Sequence, residues 1–196
     1  MKKLYFILLL EFISLNTIAQ ERPKVALVLS GGGAKGFAHI GVIKELEKAG
    51  IRPDIITGTS MGSVVGALYS MGYTTDEMEE LAVSSDWDNI ISNKLPYNKI
   101  AIEEKPYDSR YFLQFRYENG QVQLPKGMIE GKELALFIDR LTIPAHNVKD
   151  FHKLPIPFAC VATDITTGEA VVLDKGNINE AIRASMAIPS IFTPVK

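Results

Sequence analysis

An α/β domain built on a mainly parallel sheet is the fold this sequence predicts, and three observations predict it. Short apolar runs alternate with helical patterns along the chain. Several of those runs are apolar without alternation, as strands covered on both faces are. Glycines or proline-bounded turns punctuate them. Strands that alternate with helices are accommodated by helices packed on both sides of a sheet, a three-layer α/β/α arrangement.

The elements follow in order. Val25 to Ser30 reads as a buried strand stopped by glycines. Phe37, Ile40, Ile43, Leu46 and Ala49 recur at helical spacing, and Gly50 ends that helix. Asp54 to Thr57 is a second short strand, and Val64 to Met71 is small and apolar on nearly all sides, a buried helix stopped by Gly72. Thr74 to Glu77 reads TTDE, a capping box that opens a helix to about Ser84. Asp86 to Asp108 is polar and irregular, a candidate loop or lid. YFLQFRY and QVQL flank Glu118-Asn119-Gly120, a hairpin signal. A helix from about Glu130 to Leu141 comes next. IPFACVATD and EAVVLD then bracket the turn Thr166-Thr167-Gly168, and a last helix runs from about Asn179 to Met186.

The first 19 residues stand apart. Met1-Lys2-Lys3 is basic, LYFILLL and FISL are apolar, and Thr17-Ile18-Ala19 offers small residues for cleavage after Ala19. Glu11 interrupts the stretch, which fits a membrane span of roughly 20 uncharged residues less well than an export signal. The expectation is a signal peptide over 1–19, export to the periplasm, outer membrane or cell surface, and one domain over 20–196.

Composition excludes some classes. The net charge of −2 carries no basic stripe, so nucleic acid is not expected as a partner. The lone Cys160 sits in an apolar run and reads as a small core residue. His39, His146 and His152 are scattered with no HExxH or CxxC motif, and no metal ligand set is expected.

The chemistry concentrates at two glycine clusters. Gly58-Thr59-Ser60-Met61-Gly62 is a GxSxG pattern between a strand and a helix, the context of a nucleophile elbow. Small residues two before and two after Ser60 relieve crowding in so sharp a turn, and the following helix's N-terminus favours developing negative charge. Upstream, Gly31, Gly33 and Gly36 match GxGxxG. A dinucleotide loop would need an acidic residue at the end of the second strand, but that strand runs on as Thr57-Gly58-Thr59-Ser60, with Asp54 at its other end. The glycine loop is therefore read as an oxyanion hole, with the amides of Gly32 and Gly33, joined by that of Met61, facing a carbonyl attacked by Ser60.

Other residues have rival readings. His39, on the first turn after the glycine loop, is a candidate base but reads better as a structural histidine. His146 and His152 follow Asp139 in hydrolase order, yet their polar, proline-flanked setting suits surface residues. Asp164 ends a strand and is the one internal acid to weigh as a base; a turn role is favoured. Lys35 is either solvated or an attractor of anions. Ser185 and Pro189 read as packing and turn residues behind the site.

SGGGAKGFAHIGVIKELEKAGI, GTSMG, ATDITTGE at Ala162 to Glu169 and SMAIPSIFTPV at Ser185 to Val195 together resemble the patatin-like phospholipase family over Val25 to Val195. The resemblance implies a serine lipid acyl hydrolase with a Ser–Asp dyad, no catalytic histidine and no cofactor. It implies a phospholipid or other acyl ester as substrate and a membrane surface as the place of work. In that family the dyad aspartate lies in an Asp-Gly-Gly or Asp-Gly-Ala motif beyond the last segment. This chain has no Asp-Gly dipeptide, so the catalytic aspartate is not expected within it. The alternative is a catalytically incomplete patatin domain that binds lipid or protein.

Overall fold

The computed structural model describes residues 22–92, 100–103, 105, 116–118, 120–123, 129, 131–189 and 191–195. The signal-peptide expectation at 1–19 and about half of the candidate lid (93–99, 104 and 106–108) lie outside those residues. Four strands form one sheet in the order β1 (Ala26–Leu29), β2 (Ile55–Thr59), β5 (Phe158–Thr163), β6 (Ala170–Leu173). β1, β2 and β5 run parallel and β6 returns antiparallel to β5. The hairpin predicted around Gly120 is β3 (Arg116–Glu118) paired with β4 (Gln121–Gln123). The fold is thus α/β with a mainly parallel sheet, as the sequence predicts.

Six α-helices, α1 Ala38–Lys48, α2 Met61–Met71, α3 Thr75–Ser84, α4 Trp87–Ser92, α5 Lys132–Thr142 and α6 Ile178–Met186, and three short 3-10 helices, Gly33–Phe37, Ile143–Ala145 and Phe151–Lys153, complete the described elements. Their ends are chemically determined. Gly50, at φ 73°, closes α1 as its amide donates to Glu47 and the Ile51 amide donates to Leu46. Thr74 and Glu77 exchange the two bonds of a capping box at the start of α3. α4 falls inside the stretch read as irregular loop. Its Trp87 ring packs 4.8 Å from Phe37 and 5.3 Å from Phe137, so tertiary aromatic contacts fix a turn of helix that local sequence does not favour.

α2 is the central element. It lies on β1, β2 and β5, and Val65, Ala67, Ser63 and Ser70 are fully or almost fully buried. Gly66 lets it approach the sheet, since a Cβ there would sit 3.0 Å from Ile56 Cγ2. Ile56 and Phe158 are wholly buried beneath it and Phe151, also wholly buried, packs on Phe158, each contributing about 1.5–3 kcal/mol by leaving water.

The first strand departs from expectation. Its apolar residues predict burial on both faces, yet β1 is an edge strand and Val28 is 75% exposed. Val28 shares its row with Thr57 and Ala159, while Leu29 on the opposite face is buried under α2. Among the described residues, the helices that touch the sheet, chiefly α2 and α6, cover the Leu29 face. Val172 of β6, 63% exposed, lies on the same open face as Val28.

Candidate active site

β2 continues two residues past its predicted end because Gly58 pairs with Cys160 and Thr59 with Val161. It stops at Ser60, whose φ of 53° and ψ of −123° make it the one positive-φ non-glycine residue among those described. Such a backbone costs about 1–3 kcal/mol and persists only where neighbours over-determine it. The neighbours here are backbone. A Cβ at Gly58 would overlap the Gly62 carbonyl, and a Cβ at Gly62 would overlap the carbonyl of Leu29 on β1. Glycine at both ends of the GxSxG run is therefore a steric demand of this turn.

Both polar backbone groups of Ser60 are held by hydroxyls. Its carbonyl accepts from Ser63 Oγ at 2.6 Å and from the Ser63 amide at 2.9 Å. Its amide donates to Ser185 Oγ at 2.8 Å, and Ser185 Oγ donates onward to the Val161 carbonyl at 2.6 Å. Ser185 is thus a direct partner of the elbow rather than the packing residue behind the site that its sequence context predicts. The two serines are 125 positions apart, and no local pattern in SMAIPS signals the contact.

The half-buried Ser60 stands at the N-terminus of α2, with Met61 and Gly62 as the first helical residues. Among the described residues no carbonyl takes the amides of Met61 or Gly62; the turn's bonds begin at Ser63. These free donors and the helix dipole make the elbow hospitable to negative charge.

The glycine loop lies against this turn. A Cβ at Gly31 would come 3.2 Å from Ser60 Cβ and 3.9 Å from its Oγ. Gly36 abuts Met61, where a Cβ would sit 2.5 Å from Met61 Cβ. Gly32 and Gly33 are exposed, Gly33 has φ 55°, and no described backbone carbonyl receives either amide. The structure therefore gathers Gly31, Gly36, Gly58, Ser60, Met61 and Gly62 into one locus, with Gly32 and Gly33 at its open rim.

The other candidates are engaged elsewhere. His39 Nε2 lies 2.9 Å from the Ser30 carbonyl. A carbonyl only accepts, so that nitrogen carries the proton and donates. Asp164 Oδ1 accepts from the amides of Thr166 at 2.7 Å and Thr167 at 3.1 Å, which hold its carboxyl below the usual range. His146 faces Asp139 and His152 faces Asp174, all four half-exposed on the surface. Cys160 is fully buried, and burial pushes its thiol up to about 12. Lys35 is exposed beside Gly32.

Comparison with known proteins finds similar chains. The family model described as Patatin-like phospholipase matches residues 27–196. An uncharacterised NTE family protein of Mycobacterium tuberculosis (strain ATCC 25618 / H37Rv) is 31% identical over 181 residues, covering 92% of this chain and 42% of that protein. Patatin-like phospholipase domain-containing protein 6 of Homo sapiens is 31% identical over 171 residues, covering 87% of this chain and 10% of that protein. The solved structure of VipD from Legionella pneumophila is similar in fold, with a TM-score of 0.52 at 16% identity over 87% of this chain and 43% of that one. This chain thus spans less than half the length of each.

Proposed function

The chain belongs to the patatin-like phospholipase family, and from that premise we propose that it hydrolyses fatty-acyl esters of phospholipids with Ser60 as nucleophile. The observation that carries the reading is the strained strand-to-helix turn at Ser60, stacked against a glycine loop with open amides. Ser60 Oγ attacks the ester carbonyl carbon, and the π pair moves onto the oxygen as its proton passes to a base. The amides of Gly32, Gly33 and Met61 donate to that oxyanion. Collapse expels the alcohol, which takes up the proton, and water then releases the fatty acid from the acyl-enzyme.

The base in this proposal is an aspartate that is not among these 196 residues. Asp164, the internal rival, has its carboxylate committed to its own turn. The mechanism calls on no metal or organic cofactor. Export by the leader at 1–19 and work at a membrane surface belong to the same proposal; N-terminal sequencing of the mature protein checks the first. Among the described residues no helix is long and apolar enough to cross a membrane.

A second reading is a patatin domain that binds lipid or protein without turnover, and it rests on the absence of an Asp-Gly dipeptide. A fluorophosphonate separates the two. Covalent labelling located at Ser60 and lost in Ser60→Ala supports the hydrolase. A folded full-length protein that stays unlabelled and inert toward phospholipid vesicles supports the binding module.

A further inference from the structure

We propose that Ser185 is a positioning residue for Ser60: its hydroxyl replaces the sheet hydrogen bond that the elbow breaks, and so sets the direction of the nucleophile. The inference rests on the hydrolase reading of Ser60.

The ladder between β2 and β5 gives the reason. Ile56 pairs with Phe158, and its amide donates to the preceding carbonyl, Pro157, at 2.9 Å. In a parallel ladder this step repeats every two residues. Gly58 then addresses Ala159, and Ser60 addresses Val161. Had β2 continued as a strand, the Ser60 amide would donate straight to the Val161 carbonyl. The turn to φ 53° takes that amide out of line.

The Ser185 hydroxyl fills the gap. It accepts from the Ser60 amide at 2.8 Å and donates to the Val161 carbonyl at 2.6 Å, so both ladder groups remain satisfied. A hydroxyl is well suited because it offers a donor and an acceptor on one atom. Ser185 comes from the last turn of α6, which packs on β5, so its own position is fixed by the sheet it repairs. With Ser63 on the carbonyl side, the peptide groups flanking Ser60 are clamped at both ends.

One consequence concerns the oxyanion. The Ser60 amide is already taken and points at α6 rather than at substrate, so the donors left to the reaction are those of the glycine loop and of Met61. Ser185 does not touch the reacting atoms; it acts through Ser60. Loss of its hydroxyl misdirects Oγ, which lowers the rate of attack and leaves substrate binding nearly as before.

The test compares Ser185→Ala, Ser185→Thr and Ser185→Cys in the full-length protein, using a short-chain ester for kcat and KM and a fluorophosphonate for the rate of Ser60 labelling. Each rate is taken per folded molecule from circular dichroism and thermal unfolding. The expected result is a fall in kcat and in labelling rate of about 10–100-fold for Ser185→Ala, with KM within about twofold. Ser185→Thr, which keeps the hydroxyl, should recover most of the loss. Should Ser185→Ala not fold, Ser185→Cys carries the test: its thiol is a weaker and longer bridge, and kcat should fall between the alanine and threonine expectations. Rates per folded molecule within twofold of wild type in the alanine or cysteine variant overturn the proposal, as does a loss confined to KM. Ser60→Ala runs beside them. Hydrolysis that survives there defeats the reading of Ser60 itself, an outcome distinct from any failure at Ser185.

Discussion

The elbow and the glycine loop are both rich in glycine and lie side by side, yet they use glycine for opposite reasons. At the elbow the atoms are missing because there is no room. Side chains at Gly58 or Gly62 would run into the backbone of α2 and of β1. Gly31 and Gly36 of the loop are also pressed against Ser60 and Met61, but between them there is room to spare, with nothing within 4 Å of a Cβ built at Gly33 and only ordinary contacts at Gly32. What glycine provides there is a left-handed backbone at Gly33 and amides that no described backbone carbonyl receives. One cluster makes a strained turn possible, and the other keeps donors accessible. Steric demand and chemical access are therefore separable by mutation.

The sharpest break between them is at the nucleophile. Ser60→Ala should abolish ester hydrolysis, by at least about 10³-fold, the scale of removing a member of a catalytic unit. The methyl group fits the same turn, and the bonds to Ser63 and Ser185 use only the backbone of residue 60. Thermal unfolding should therefore stay close to wild type while activity disappears. Turnover above a few per cent in a folded variant removes Ser60 from the mechanism.

The next largest effect should be structural. Gly62→Ala places a methyl group into the Leu29 carbonyl, and neither partner can rotate away because both are backbone. Overpacking of this kind costs about 1–3 kcal/mol, and with backbone on both sides the upper end is expected. Chemical denaturation reads it as a large drop in midpoint, and a loss under about 1 kcal/mol would show that the elbow has slack. Gly33→Ala should do the reverse. Its methyl meets open space, so the cost is about 1–2 kcal/mol for the left-handed backbone alone. Its effect on kcat should be about tenfold or more as the amide is re-aimed. An alanine at Gly33 that lowers stability without lowering kcat would take that amide out of the oxyanion hole.

Why the elbow could be read from sequence while its brace could not follows from range. Gly58, Ser60 and Gly62 sit within five residues, and the clash that demands glycine is local to a strand-to-helix turn. Likewise the TTDE capping box and the glycine that ends α1 act within a helical turn. Ser185 reaches Ser60 only because α6 packs on β5 and β5 pairs with β2, three associations that no short window contains. The same holds for α4, whose Trp87 is anchored by Phe37 and Phe137 from distant segments. β1 misled for a related reason: its apolar residues predict burial on two faces, while strand order places it at an edge.

The smallest effect belongs to His39, the histidine that sequence order sets nearest the glycine loop. Its Nε2 donates to the Ser30 carbonyl, the residue that joins β1 to the loop, so its work is to hold the loop's entry. With Nε2 carrying the proton for this bond, only Nδ1 is left to act as a base, and none of the described hydrogen bonds joins His39 to Ser60. His39→Gln preserves a donor of similar reach and should leave kcat within about threefold. His39→Ala removes the bond and should lower stability by about 1 kcal/mol, the net worth of such a contact. A general base would behave otherwise, with a loss of about 10²–10⁴-fold on substitution. A fall of that size in folded His39→Gln would make the site a Ser–His pair, and the loop rather than the elbow would then hold the second half of the chemistry.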